Sequence, residues 1–210
     1  CKIRFSSPAG RWKEALPLGN GKTAVMVYGG IKCEQLDFND ATLWSGYPRN
    51  HDNAAAKDVL PEVRRLIKEG EFRRADEKVR TGMDGDYSQA YMPLGSVFIK
   101  ISGGGKEGYT RTLDTDNGVF AVRSGGVTRT AFVSHPDKVA VYSIKADEKT
   151  DIKLTAKTPH KGGSGVMQGT FVLYGRAPDV ALPNYLRTAL FPIRYNEGKA
   201  MVFAMAVSAE

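Results

Sequence analysis

The chain has 210 residues, 41% hydrophobic and 25% charged, with 30 Lys and Arg against 23 Asp and Glu for a net charge of +7. That supplies one sizeable core and matches an ordinary globular protein, not a disordered or collagenous one. No apolar run is long enough for a membrane-crossing helix, and the basic residues lie singly or, over 57–80, interleaved with acids, so no nucleic-acid partner is expected.

Taken in order, Asn20-Gly21 reads as a type I′ hairpin turn, followed by a strand over 23–28 and a turn at Gly29-Gly30. A helix is predicted over 54–69, with Val59, Val63, Leu66 and Ile67 at helical spacing, Asp52 or Asn53 as N-cap and Gly70 as the stop. A second helix over 71–81 would bury Phe72, Ala75 and Val79, making an αα-hairpin. A DNA-reading helix-turn-helix is disfavoured, because no third helix supports it and acids share the exposed face. Further strands are predicted over 96–101, 118–123, 127–133, 139–146, 151–157, 169–174 and 199–206. Tight hairpins fall at 116–118 and 124–126, a flexible glycine-rich hairpin at 103–108, and a long loop over 177–189. Short strands at this spacing describe a mainly β chain: one antiparallel β-sandwich domain over 1–210, with a helical insertion at about 54–82.

Catalytic signals are weak. Glu14, Asp37, Asp40, Asp84 and Asp86 are candidate carboxylates, but no spacing pairs two of them, and Glu14 and Asp37 read as capping or packing residues. His51, His135 and His160 lie far apart, so no metal is expected. No Gly-x-Ser-x-Gly elbow is present, and 103–108 lacks the Gly-Lys-Ser/Thr ending and following helix of a phosphate loop. No cofactor is expected either. Trp12, Trp44, Tyr47 and Tyr91 sit beside turns, where aromatics anchor cores and interfaces or stack on sugars. Cys33 reads as a lone thiol.

One order of segments says more. Trp12-Lys-Glu-Ala-Leu-Pro-Leu-Gly-Asn-Gly21, a strand to Gly29-Gly30, and Asn39-Asp-Ala-Thr-Leu-Trp-Ser-Gly46 together resemble the opening of glycoside hydrolase family 95, the α-L-fucosidase type. Leu60-Pro-Glu-Val-Arg-Arg-Leu-Ile-Lys-Glu-Gly70 with Glu71-Phe-Arg-Arg-Ala-Asp76, Tyr91-Met-Pro-Leu-Gly95, Tyr109-Thr-Arg-Thr-Leu-Asp114 and Arg129-Thr-Ala-Phe-Val-Ser-His-Pro136 follow in the family's order. The resemblance thins beyond Lys157, and Ala41 stands where the family carries a carboxylate.

The resemblance implies an N-terminal sandwich of the super-sandwich type, non-catalytic in itself. By the same resemblance it would belong to an inverting hydrolase of terminal α-L-fucosides or α-L-galactosides, with the acid and base groups on a downstream helical barrel. That barrel would be its partner, with the glycan met through the parent. Asn39, Trp44, Tyr47 and Arg49 are the expected interdomain or pocket-rim residues. The rival readings are an autonomous carbohydrate-binding module using Trp44 and Tyr47, and a basic surface-adhesion or nucleic-acid module. Cys1 itself reads as the lipidated residue of a bacterial lipoprotein, and the resemblance, which places a signal peptide at about this point, implies export to the periplasm or cell surface; the alternative is that the chain boundary simply falls there. An open edge near Val207 and an exposed 42–49 loop are expected, and with them self-association.

Overall fold

A computed structural model describes residues 1–183, 192–195 and 198–209. Fifteen strands are described, running β1 (Lys2–Phe5), β2 (Leu16–Gly19), β3 (Thr23–Val27), β4 (Cys33–Asp40), β5 (Gly95–Ile101), β6 (Thr110–Asp114), β7 (Val119–Ser124) and β8 (Val127–Val133). They continue as β9 (Ala140–Ala146), β10 (Ile152–Lys157), β11 (Lys161–Met167), β12 (Thr170–Arg176), β13 (Val180–Ala181), β14 (Ile193–Arg194) and β15 (Val202–Val207). Two helices, α1 (Ala56–Lys68) and α2 (Phe72–Gly82), lie between β4 and β5.

Two antiparallel five-stranded sheets, ordered β1-β6-β7-β8-β9 and β10-β5-β4-β3-β2, form the sandwich. Alternation decides the facing: Leu16, Leu18, Val25, Val27, Leu36, Phe38, Val97 and Ile99 of one sheet share a core with Leu113, Phe120, Val122 and Ala131 of the other. Each large apolar side chain among them contributes about 1.5–3 kcal/mol by leaving water. A third sheet, β11-β12-β15, lays Phe171, Leu173, Phe203 and Met205 against the same core. At Gly95, whose φ is +153°, a Cβ would meet the Lys157 carbonyl of β10 at 2.6 Å and Leu173 Cδ2 of this third sheet at 2.8 Å.

The sandwich interior also holds charge. Arg111, Val122 and Arg129 occupy one row across β6, β7 and β8, and Glu34 lies in the facing sheet; all four are buried. Glu34 accepts hydrogen bonds from the Gly29 amide at 2.7 Å and the Tyr142 hydroxyl at 2.6 Å, while Arg129 donates to the Gly30 carbonyl. The Tyr109 hydroxyl donates to the Gly29 carbonyl at 2.7 Å, and Arg111 donates to the Glu14 carbonyl at 2.8 Å beneath the Phe5 ring. Gly29-Gly30, Tyr109-x-Arg111 and Arg129, spread over about 100 positions of sequence, therefore meet in one buried network.

The helical hairpin has its own small core of Val63, Leu66 and Ala75, backed by Val59, Val79 and Met83. Asn53 clamps its base by donating to the carbonyls of Gly82 and Asp84, both at 3.1 Å. Gly70, at φ +80°, ends α1 as expected, with the Glu71 amide returning to the Leu66 carbonyl at 2.9 Å.

Several sequence expectations are corrected. Of the pair Asn20-Gly21 only Gly21 has positive φ, so the turn is not type I′; the Asn20 carboxamide instead accepts from the Lys22 and Thr23 amides at 3.0 and 2.8 Å. The type I′ signature falls at Gly125-Gly126, both at positive φ, between Ser124 and Val127. Ala55 is the N-cap of α1, with Asn53 receiving the Ala55 amide from just outside. Phe72 is 67% exposed, because the αα-hairpin buries Ala75 and leaves the outer face of α2 open. Residues 103–108 do not form a hairpin but cross from one sheet to the other, pinned by Lys32 on the Gly104 carbonyl at 2.6 Å. Of the loop expected over 177–189, β13 is a short strand and 184–189 lie outside the described residues. No described helix is long and apolar enough to cross a membrane.

Candidate functional site

Three distant stretches converge beside the third sheet. The first begins where β4 ends: the Asp40 carboxylate accepts the Thr42 amide at 2.9 Å and its hydroxyl at 2.6 Å, turning the chain. Burial pushes Asp40 up, but those hydrogen bonds and the charge of Lys22 outweigh it and hold the carboxyl below its usual range. Leu43 is buried as an anchor, and the Trp44 indole N–H donates to the Ala41 carbonyl at 2.8 Å. Trp44 pairs through its backbone with Tyr91, and their rings lie 5.3 Å apart. Trp44 nevertheless remains 43% exposed.

The second stretch, 84–91, is tied to the first. The Ser45 amide donates to the Ala90 carbonyl at 2.8 Å, and the Ala90 amide returns to the Ser45 hydroxyl at 2.9 Å. Gly46 turns the chain with φ +85°, the left-handed backbone that favours glycine, and packs against the Gln89 carboxamide. Its amide donates at 2.7 Å to the Pro178 carbonyl, joining the third stretch. There β13 and β14 pair, and the Asp179 amide donates to the Arg194 carbonyl at 2.9 Å.

Between them lies a cleft of about 120 Å³, lined among others by Ser45, Arg49, Asp86, Gln89, Asp179 and Arg194. Arg49 lies 3.7 Å from Asp86 and donates through Nε to His51 Nε2 at 3.3 Å. Asp179 is 1% exposed. The lining carries two guanidinium groups and two carboxylates, so its formal charge is balanced.

Of the expected rim residues, Arg49 lines this cleft. Tyr47 sits beside it, half-buried, with the Arg49 guanidinium 5.9 Å and the Lys199 ammonium 5.4 Å from its ring. Trp44 stands on the neighbouring surface with Tyr91. Asn39 stays in the sheet and donates to the Met92 carbonyl at 3.3 Å. Asp179, Gln89 and Arg194 were not legible as site residues; each lies in an aperiodic stretch, and no local spacing joins them.

The other candidate carboxylates are engaged locally. Glu14 is held below the usual range by the Gly10 amide first and the Arg11 side chain next. Asp37 receives the Tyr28 hydroxyl at 2.8 Å and the Ser96 hydroxyl at 2.6 Å. Asp84 is exposed at the base of the helical hairpin. His135 meets the Asn20 carbonyl at 3.1 Å, and His160 the Pro93 carbonyl at 2.7 Å. Among the described residues no three His, Cys, Asp or Glu could hold a metal ion.

Residues 3–208 match the family described as glycosyl hydrolase family 65, N-terminal domain. Alpha-L-fucosidase 2 of Arabidopsis thaliana is 26% identical across 97% of this chain. Probable alpha-fucosidase A of Aspergillus oryzae is 32% identical across 68% of it, and that of Aspergillus niger 27% across 77%. The chain spans 26%, 21% and 22% of those relatives' own lengths, in that order.

Proposed function

This chain belongs to the glycosyl hydrolase family 65 N-terminal domain family, and from that membership we propose that it is a non-catalytic sandwich of a family 95-type hydrolase acting on terminal α-L-fucosides or α-L-galactosides with inversion. The fucoside reading is supported by relatives that are named α-fucosidases. The non-catalytic reading is carried by the carboxylates. An inverting pair needs one acid held protonated near neutral pH and one base across the bond. Glu14 and Asp40 are pushed the opposite way, and Asp37 already receives two hydroxyls.

In this reading the acid and base lie on a helical barrel elsewhere in the parent protein, and the 42–49 loop is the face that meets it. The exposed Trp44–Tyr91 pair suits such a contact, since aromatics enrich interfaces.

The test is hydrolysis of an aryl α-L-fucoside by this chain and by the longer protein that carries it, with the product anomer read by NMR. Inverting turnover by the longer protein and none by the chain is expected. Turnover by the purified chain that disappears in Asp86→Asn would overturn the reading.

A further inference from the structure

We propose that the tip of the αα-hairpin docks into an apolar socket with an acidic rim, carried by another part of the same longer protein. Ile67 in the last turn of α1 and Phe72 at the start of α2 flank the Gly70 turn, 49% and 67% exposed. Neither is spent on the hairpin itself, which closes its own core of Val63, Leu66 and Ala75 apart from the core of the sandwich. Large apolar side chains left out at such a tip mark a contact surface.

Charge around the tip defines the rim of the socket. Arg64, Lys68 and Arg73 are exposed and have no ion-pair partner among the described residues, whereas Arg65 is held by Glu62 and Glu69. Arg73 and Arg74 stand in the first turn of α2, which carries no acid, and Glu71 at the N-cap makes no side-chain capping bond. The positive end of a helix dipole disfavours cations, so local stability does not account for that choice. Carboxylates on a partner would meet the unpaired cations and the dipole together.

The rest of the parent protein is the occupant these features fit. The hairpin rises from the 41–94 connection between β4 and β5, the same connection that carries the 42–49 loop assigned above to the barrel-facing side. Asn53 fixes its base through the Gly82 and Asp84 carbonyls, and Ser45 ties the loop to the following stretch at Ala90, so tip and loop share one support. Exposed aromatic side chains gather on this connection as well, with Trp44, Tyr87 and Tyr91 beside Phe72. The chain spans only 21–26% of the three relatives' lengths. A patch of two apolar side chains and three cations falls well short of the roughly 1,000 Å² that a separate partner needs. A covalently attached domain meets it at an effective concentration of about millimolar order, where few contacts suffice. The inference rests on reading this chain as one domain of a longer hydrolase.

The test compares hydrogen exchange at residues 66–74 in this chain and in the longer protein that carries it. Exchange about tenfold slower in the longer protein is expected, and Phe72→Ser should return it to the rate seen in the chain. Phe72 is exposed, so that variant should leave the circular dichroism of the chain unchanged. Arg73→Glu separates docking from local stability. An acid suits the first turn of α2, so protection should hold or rise in the isolated chain, yet fall in the longer protein where like charges meet at the rim. Equal exchange in the two proteins, or protection in the longer protein that survives both substitutions, would overturn the socket. Binding of the longer protein to phosphatidylglycerol vesicles that is lost in Phe72→Ser would overturn it in favour of a lipid surface. If the longer protein hydrolyses the fucoside in any of those cases, the proposal for the hairpin alone has failed.

Discussion

Glu34 Oε2 and Arg129 Nη1 lie 3.7 Å apart inside the sandwich, one from each sheet, with side chains 0% and 1% exposed. A pair so placed fixes how the sheets face each other, because sliding either one strands a charge in the core. Its worth lies in mutual dependence more than in net attraction.

Removing one partner should therefore be costly. Arg129→Met should lose about 3–5 kcal/mol in urea unfolding, and Glu34→Leu with Arg129→Met should lose clearly less than the sum of the two single variants. Additive losses, with the double variant costing the sum of the Arg129→Met and Glu34→Leu single variants, would show that the pair is not coupled.

The network also sets a limit at high pH. Burial pushes the Tyr109 hydroxyl from 10.0 up to about 12, and burial with the Asp37 carboxylate does the same to Tyr28. A phenol raised on folding stabilises the fold fully below pH 10, and that contribution is lost as pH climbs through the folded value near 12. Urea melts should show stability falling from about pH 10 upward, with a shallower fall in Tyr109→Phe. A flat profile over that window would refute the assignment.

Glycine substitutions should separate two kinds of cost. Gly21 has φ +89°, and an added methyl group there would meet nothing within 4 Å, so Gly21→Ala should cost about 1 kcal/mol in backbone strain alone. At Gly29, φ +74°, a Cβ would meet Arg111 Cδ at 2.5 Å and the Tyr109 hydroxyl at 2.7 Å. Gly29→Ala should cost at least about 2 kcal/mol more than Gly21→Ala, since it displaces the buried network as well. Equal melting temperatures for the two would argue that the network yields easily.

Among the described residues β15 pairs with β12 on one side and carries no neighbour on the other, as the pattern near Val207 suggested. An uncovered edge with apolar Val202 beside it favours strand-to-strand association. Sedimentation should show concentration-dependent self-association of the chain, reduced by Val202→Lys. A strictly monomeric chain at all concentrations would count against an open edge.

The elements that sequence made legible are those with a clean period. Strand β8 coincides with its expected limits because Val127, Arg129 and Ala131 alternate inward, and the helices follow Val63, Leu66 and Ala75. Strand β4 was poorly legible: its outward positions are Gln35, Asp37 and Asn39, and its inward row includes the charged Glu34. Strand β11 was obscured by Gly162, Gly163 and Gly165, which carry no side chain to reveal a face. Much of the resemblance proved architectural, since Gly29, Tyr109, Arg111 and Arg129 serve the interior network. The cleft lay beyond local pattern. Arg49, Asp86 and Arg194 become neighbours through tertiary pairing across much of the chain.

The hairpin of α1 and α2 departs from β4 and returns to β5, adjacent strands of one sheet, where the Leu94 amide already donates to the Phe38 carbonyl at 3.0 Å. The gap it spans is thus sealed before any helix is counted. Because closing a longer loop costs only about 0.6 kcal/mol per doubling, this junction can accept segments of very different size. It is a grafting port, where evolution or an engineer can exchange one attachment for another while the sandwich keeps its registration.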